Sequence, residues 1–476
     1  MKYEMTIGIE CHVQLNTKTK LFSAVNNDAV DKEPNSCVSP IDYALPGMLP
    51  VLNKSAVEKA VRAGLAMNCK INLISRFDRK HYYYPDLPKG YQISQMYQPI
   101  IGAGKMELPD GSNVRIEHAH LEEDAGKLTH VDGYSLVDLN RAGTPLIEIV
   151  SMPDIHSAAQ ARLYCEELHR SMVYAGVTNG DLYHGNMRFD VNISVAPEGS
   201  DKLGTRAEIK NLNSFRSVER AAEYEFKRQT ELLEKGERIV QETRGWNDGT
   251  GKTTSQRSKE EAQDYRYMPE PDVPPVILTD EFVRDIGANM PLMPKDYRDK
   301  FAVMNLGSSE VETILNYPEL TVKLAAILEH GVEHGVRVAH WFSGVLLAEE
   351  NLGKNFALAT KSELLELSEM IDKNELSSTA GKSVFLALYD SKNTEKTPRM
   401  LAKEMNLLQE NDEDALLQIV DEVLALPECA QAAMDVRNGE MKAIGFLVGQ
   451  VMKESGGKAN PAKVNQLIKQ QLSDKI

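Results

Sequence analysis

No run of 18 consecutive apolar residues occurs in this chain, so no membrane-spanning helix is expected. Cysteine is scarce, with five in 476 residues, and Cys11, Cys37, Cys69, Cys165 and Cys429 form no CxxC pair and no paired spacing. That argues against a disulfide framework and points to a reducing, cytoplasmic compartment. The opening MKYEMTIGIE lacks the basic-then-apolar layout of a secretory signal. There is no HExxH, and no GxGxxG follows a strand-like run. Gly251-Lys252-Thr253 resembles the end of a phosphate-binding loop, but the glycine required five residues earlier is Trp246. Gly102-Ala103-Gly104-Lys105 fails as well, because Met106 follows the lysine. Any nucleotide site must therefore be built differently. Basic residues are outnumbered, 54 against 70 acids for a net charge of −16, which weighs against nucleic acid as a partner for the whole surface. Residues 441–476 depart from this balance, with six lysines (442, 453, 458, 463, 469 and 475) against Glu454 and Asp474. A basic tail on an acidic body can touch a polyanion locally, and it can equally be a solvated helical face.

What is present is ample apolar content, 42% of residues, in a chain long enough for two to four domains. The first ~290 residues are rich in period-2 alternation. In Thr6–Leu15, Ile7, Ile9, Cys11, Val13 and Leu15 alternate with Thr6, Gly8, Glu10, His12 and Gln14. Arg188–Val195 and Arg206–Lys210 repeat the design, which is typical of antiparallel sheets with one packed and one polar face. A Ser55/Glu58 capping pattern opens one helix, Ser157 caps a second running to about Ala175 with Gly176 as its stop, and a third runs from about Phe215 to Gly236. No regular βαβ alternation follows, so the fold class is α+β. Six prolines between 269 and 294 mark a rigid connector and a domain boundary. Beyond it the pattern is helical: Glu319–Glu329, Val338–Ala348, Ser362–Asp372 and Ser377–Tyr389. The polar stretch Ser391–Asp414 reads as a second hinge before a small helical module. The expected domains are 1–293, 294–405 and 406–476.

The most informative stretch is 115–154, where Glu117, Glu122, Glu123, Asp124, Asp132, Asp138, Glu148 and Asp154 crowd together with His118, His120 and His130. Glu148 lies inside the strand-like Leu146–Val150, and a carboxylate there costs several kcal/mol unless a cation or donors satisfy it. Glu10 and His12 share a strand face, about 7 Å apart. Asp190 lies on the polar face of another strand. Taken singly, Glu10 reads as a salt-bridged strand residue, His12 as a satisfied histidine and Glu122–Glu123 as a solvated loop. Their co-occurrence with Glu148 points to convergence on one space, and unpaired carboxylates at that density repel. A hard divalent cation relieves the repulsion; Mg²⁺ fits oxygen-rich ligation with one nitrogen, whereas Zn²⁺ favours more His and Cys. A second cluster, Arg76 to Asp86 with Lys89 and Tyr91, interleaves basic and aromatic side chains. It offers phosphate contacts and a stacking surface for an adenine or an unpaired tRNA base, or else it is a tyrosine-rich strand packed in a sheet.

At these residues the chain resembles one family, the B subunits of the aspartyl/glutamyl-tRNA amidotransferases (GatB). Gly8–Leu15, Phe77–Asp86, Tyr91–Gln95, Leu121–Lys127, Val137–Ile149, Lys210–Phe215, Gln241–Arg244 and Asp264–Asp272 carry the likeness, which runs on to Gly445–Gln450 and Asn460–Pro461. The resemblance implies a cradle-like α+β domain, a helical domain and a YqeY-like tail that contacts tRNA. It implies a carbon–nitrogen ligase with glutamine as amido donor. ATP and Mg²⁺ would phosphorylate the side-chain carboxylate of Glu-tRNA(Gln), Asp-tRNA(Asn) or both, and ammonia would displace the phosphate. The ammonia would come from an amidase-type glutaminase partner, with a small third partner completing a heterotrimer. No Gly/Ser-rich amidase signature occurs here, in keeping with that division of labour. Carried over, Glu10, His12, Glu122, Glu123 and Glu148 resemble the metal and catalytic site. Lys80, Arg188, Asp190 and Lys210 are phosphate or substrate contacts, chosen from strand faces and likeness together. Some members carry a zinc knuckle; the corresponding positions here are Ser23, Val25, Ser39 and Asp42, so no zinc is expected. Two other functions compete, a non-catalytic tRNA-binding scaffold and a stand-alone metal hydrolase.

Overall fold

The computed structural model describes residues 2–258, 264–348, 353–409, 413–456 and 459–473. The chain divides into two compact units, Met1–Lys295 and Asp296–Ile476.

The first unit is organised around β1 (Tyr3–Gln14), whose inward residues Ile7, Ile9, Cys11 and Val13 are almost completely buried. Helix α1 (Lys54–Ala66) follows a long loop. Short strands β2 (Ile74–Ser75), β3 (Asp78–His81), β4 (Tyr91–Ser94) and β5 (Gly104–Glu107) then lead into β6 (Asn113–Glu123). A hairpin of β7 (Lys127–Val131) and β8 (Tyr134–Asp138) precedes β9 (Pro145–Ser151) and α2 (Ala158–Tyr174). Next come β10 (Met187–Pro197), β11 (Ala207–Leu212), α3 (Phe215–Glu234), β12 (Glu242–Asn247) and β13 (Lys252–Ser258).

These strands build an eight-stranded sheet in the order β13-β12-β11-β10-β1-β9-β6-β5. All its pairings are antiparallel except β11 with β12. Apolar residues of β1, β9 and β10 share one core with Ala60 of α1, Leu168 of α2 and Val218 of α3. The helices therefore cover one face of the sheet, and its polar face is left for chemistry. A smaller sheet joins β3 and β4 to β14 (Met268–Pro269).

Local chemistry explains the helix starts. Ser157 accepts from the Gln160 amide at 3.1 Å and Ser214 from Ser217 at 3.0 Å, satisfying donors the first helical turn leaves free. Helix α2 ends where Gly176 adopts φ +68°, a left-handed value that suits glycine. Two expectations are corrected. The cap of α1 is Asn53, accepting from Ser55 N at 2.9 Å, rather than Ser55. The proline-rich connector holds strand β15 (Val276–Ile277) and helix α4 (Asp280–Ala288), capped by Thr279, because no proline falls between Pro275 and Pro291. In keeping with the sequence reading, Gly251-Lys252-Thr253 belongs to the β12–β13 hairpin, not to a strand-to-helix phosphate loop.

The rest is helical. Helices α5 (Pro294–Phe301), α6 (Ser308–Leu315), α7 (Pro318–Leu328), α8 (Val332–Trp341), α9 (Lys361–Asp372) and α10 (Ser378–Leu388) follow in turn. Helix α8 starts earlier than expected and gives way to a π-helical turn at Phe342–Leu346. The presumed hinge Ser391–Asp414 contains α11 (Pro398–Glu404), with residues 410–412 outside the described residues. Helices α12 (Glu413–Leu424), α13 (Ala430–Arg437), α14 (Ile444–Glu454) and α15 (Pro461–Ser473) close on a core that includes Leu416, Val420, Leu447, Val451, Leu467 and Ile468. Lys458 and Lys475 of the basic tail lie outside the described residues. Among the described residues, no helix is long and apolar enough to cross a membrane.

Candidate cation and phosphate site

Strand register sets the geometry. His12 on β1 stands opposite Glu148 on β9, Glu148 stands opposite His120 on β6, and His12 also stands opposite Arg188 on β10. Residues directly opposite in a ladder share a face, so His120, Glu148, His12 and Arg188 form one row across four strands. Glu122 lies two residues beyond His120 on the same face. The His12 Nε2 atom is 3.5 Å from both Glu122 Oε1 and Glu148 Oε2. The His120 Nε2 atom is 3.6 Å from Glu122 Oε2 and 3.5 Å from Glu148 Oε2. The sequence points to one imidazole; the structure supplies two.

The next row along β1 carries a second group. Glu10 stands opposite Asp190, and Glu10, Asp190 and Glu208 bring carboxylate oxygens within 4.8 Å of one another. Lys210 fills this group, with its Nζ 2.7 Å from Asp190 and 2.9 Å from Glu208. Asn192 donates to Glu10 at 2.9 Å. Glu10 and Asp190 therefore belong to this second group rather than to the His12 group. Glu123 joins neither. Adjacent strand residues face opposite ways, and Glu123 turns away from Glu122 to accept from Lys89 and from the Ile93 amide at 2.9 Å. Asp124 lies past the end of β6, 3.1 Å from Arg188, 3.3 Å from Arg141 and 3.2 Å from Gln14 Nε2.

These contacts set protonation. Burial alone would raise Glu148, but hydrogen bonds from His12 and His120 outweigh it and hold the carboxyl well below its ordinary value. Burial alone would lower His120, but Glu122 and Glu148 push it up to about 9. His12 is raised in the same sense against burial. Glu10 is raised, by burial first and then by the nearby Glu148 charge. Burial would lower Lys210, yet Asp190 and Glu208 hold it above its usual value.

His12, Glu122 and Glu148 each offer one donor atom within 4.8 Å of the others. Ligands of a single Mg²⁺ at about 2.1 Å lie within about 4.2 Å of each other, so this set of one imidazole and two carboxylates fits a divalent ion after small side-chain adjustment. The Glu10 group already has the Lys210 ammonium bound to two of its three carboxylates. Beside the His12 group lies a cavity of about 420 Å³ whose wall includes His12, Glu122, Lys80, Arg188, Asp190 and Lys210. Lys80 Nζ sits 4.9 Å over the Tyr265 ring, and among the described residues it makes no ion pair. Tyr82 and Tyr265 line the same cavity. Ser39 and Asp42, two of the four positions weighed for zinc in the sequence, hydrogen-bond each other, and Asp42 holds the fully buried Lys20 at 3.1 Å.

Fold and site together define an α+β protein that gathers carboxylates, imidazoles and basic side chains on the polar face of its sheet. The chain matches the GatB/GatE catalytic domain over residues 5–284 and the GatB domain over residues 324–472. It is 43% identical to the aspartyl/glutamyl-tRNA(Asn/Gln) amidotransferase B subunit of Persephonella marina, over 99% of this chain and 100% of that protein. The proteins of the same name from Thermodesulfovibrio yellowstonii (45%, over 98% and 99%) and Carboxydothermus hydrogenoformans (44%, over 99% of each) are equally similar. The chain belongs to the GatB family, the B subunits of the aspartyl/glutamyl-tRNA amidotransferases.

His120, Asp124, Asn192 and Glu208 do not stand out from sequence as part of the site. A signal exists for two of them: His118, His120 and Glu122 alternate along one strand, and Glu208 lies between Arg206 and Lys210 on a polar strand face. Asp124 lies outside any strand, and nothing in its spacing marks it.

Proposed function

We propose that this chain is the member of a glutamine-dependent tRNA amidotransferase that activates the amino acid. A side-chain carboxylate oxygen of Glu-tRNA(Gln), Asp-tRNA(Asn) or both attacks the γ-phosphorus of ATP, and ADP leaves. Ammonia then attacks the acyl carbon, and inorganic phosphate leaves. The ammonia comes from an amidase-type glutaminase partner, and a small third partner completes the assembly. The names of the relatives and the His12–Glu122–Glu148 constellation support this reading, and the constellation carries it. His12, Glu122 and Glu148 would hold Mg²⁺, which when bound supplies charge neutralisation at the triphosphate. Lys80, Arg188 and Lys210 place positive charge along the cavity, where phosphate oxygens need it. Acyl-phosphate formation requires positioning and neutralisation rather than a protein nucleophile. Lys442, Lys453, Lys463 and Lys469 would face the tRNA backbone, giving salt-sensitive affinity.

Glu148→Gln tests the site. With the assembled complex, transfer of the γ-phosphate to Glu-tRNA should fall by at least about 10²-fold while the partner's basal glutaminase activity survives. Unaltered transamidation would eliminate the assignment.

A further inference from the structure

Resting on that reading of the cation site, we propose that His120 is a positioning residue, which orients Glu122 and Glu148 toward the ion without ligating it. His120 is 8% exposed and stacks on His118 with centroids 5.5 Å apart and planes at 19°. Its Nδ1 is sealed from solvent and has no hydrogen-bond partner. Its Nε2 faces Glu122 Oε2 at 3.6 Å and Glu148 Oε2 at 3.5 Å. Nδ1, with no acceptor, is the nitrogen that gives up its proton first, whereas the proton on Nε2 faces two carboxylates and stays in either charge state. The surroundings therefore fix His120 as an Nε2–H donor, and a nitrogen that donates has no lone pair for a metal.

The row geometry gives the same answer. Glu148 Oε2 lies between the two imidazoles, 3.5 Å from His12 Nε2 on one side and 3.5 Å from His120 Nε2 on the other. Among the described residues, His12 is the one that joins the two glutamates in a set of donors that all lie within 4.8 Å of one another. Glu148 turns the one oxygen, Oε2, to both imidazoles, whereas Glu122 is divided, with Oε1 toward His12 and Oε2 toward His120. His120 thus holds each carboxylate by one oxygen and sets its plane. Partners in this outer position are commonly worth 10–100-fold in metal affinity.

The experiment uses Mn²⁺ alone as the probe, without ATP or tRNA, on the full chain. Affinity is read by electron paramagnetic resonance titration, and the number of directly bound nitrogens by electron spin-echo modulation. Wild type should bind Mn²⁺ with one nitrogen ligand, and Glu148→Gln should abolish that binding. His120→Leu should weaken it 10–100-fold with the nitrogen count still one. His120→Gln, whose amide reaches the position of Nε2, should hold affinity to within about threefold. Should the leucine variant fail to fold, His120→Asn, whose amide is too short, takes its place. A second bound nitrogen in wild type that disappears in either variant makes His120 a ligand and overturns the proposal. Equal affinity in His120→Leu and wild type overturns it while leaving the cation site standing. Failure of wild type to bind Mn²⁺, or binding unaffected by Glu148→Gln, overturns the underlying site and this proposal with it.

Discussion

Two acidic groups sit two residues apart along β1, and they have opposite fates. Beside Glu10, two of the three carboxylates, Asp190 and Glu208, close on the ammonium of Lys210, and Glu10 accepts from Asn192. Around His12, two carboxylates face two imidazoles, with no lysine or arginine of the described residues within ion-pair distance of either carboxylate. Acid density alone therefore does not locate an ion site. What separates the two is whether the fold has already supplied a permanent positive charge. An ammonium is permanent at neutral pH; an imidazole gives way by losing its proton.

Glu123 sharpens this contrast most strongly, because it is the extreme of the pre-neutralised kind: a carboxylate 3% exposed, held by a lysine 11% exposed. Lys89→Met should cost about 3–5 kcal/mol in chemical denaturation, since it strands a buried charge. Lys89→Met combined with Glu123→Gln should recover part of the loss. A negligible effect of the single substitution would place Glu123 with surface acids.

The imidazole group should reveal itself through pH. The His120 value is raised from 6.5 to about 9. A raised value for a base stabilises the folded state fully below pH 6.5, and that contribution fades as pH rises and is gone above about 9. In chelator, stability should therefore fall by about 3 kcal/mol across this window, and His120→Leu should flatten the slope. A flat wild-type profile breaks the distinction.

Converting one group into the other is the next test. His12→Lys places an ammonium between Glu122 and Glu148. Mn²⁺ affinity should drop by at least about 10²-fold with the fold retained. In the opposite direction, Lys210→Ala should give the Glu10 group a weak second Mn²⁺ site, visible as a rise in stoichiometry by equilibrium dialysis. An unchanged stoichiometry would show that Glu10, Asp190 and Glu208 need no cation of their own.

Much of this arrangement is legible in the chain. Period-2 alternation places Glu10 and His12 on the polar face of β1, and the apolar flanks of Glu148 mark it as a strand residue needing a partner. Ser157 marks the true start of α2. The errors have physical causes. Glu122 and Glu123 read as one loop in sequence, and only their place at the end of β6 makes them face opposite ways. The Glu10–Asp190–Glu208 group depends on the order β11-β10-β1, which alternation within single strands does not encode. His120 shares the parity of Glu122 along β6, since the register irregularity between Ile116 and His118 precedes both; which row it joins depends on the pairing of β6 with β9, which its own spacing does not encode.

The strand nearest the N-terminus is also the middle of the sheet, flanked by β9 and β10. A ribosome therefore releases Glu10 and His12 long before Glu148, Asp190 or Glu208 exist to meet them. Neither acidic group can assemble from a local segment, and both await long-range pairing, the slowest kind of contact to form. A chain cut short before Met187–Pro197 would leave one edge of β1 bare, with its backbone donors and acceptors open to another molecule. Nascent chains should thus depend on shielding of this first strand until translation has passed β10.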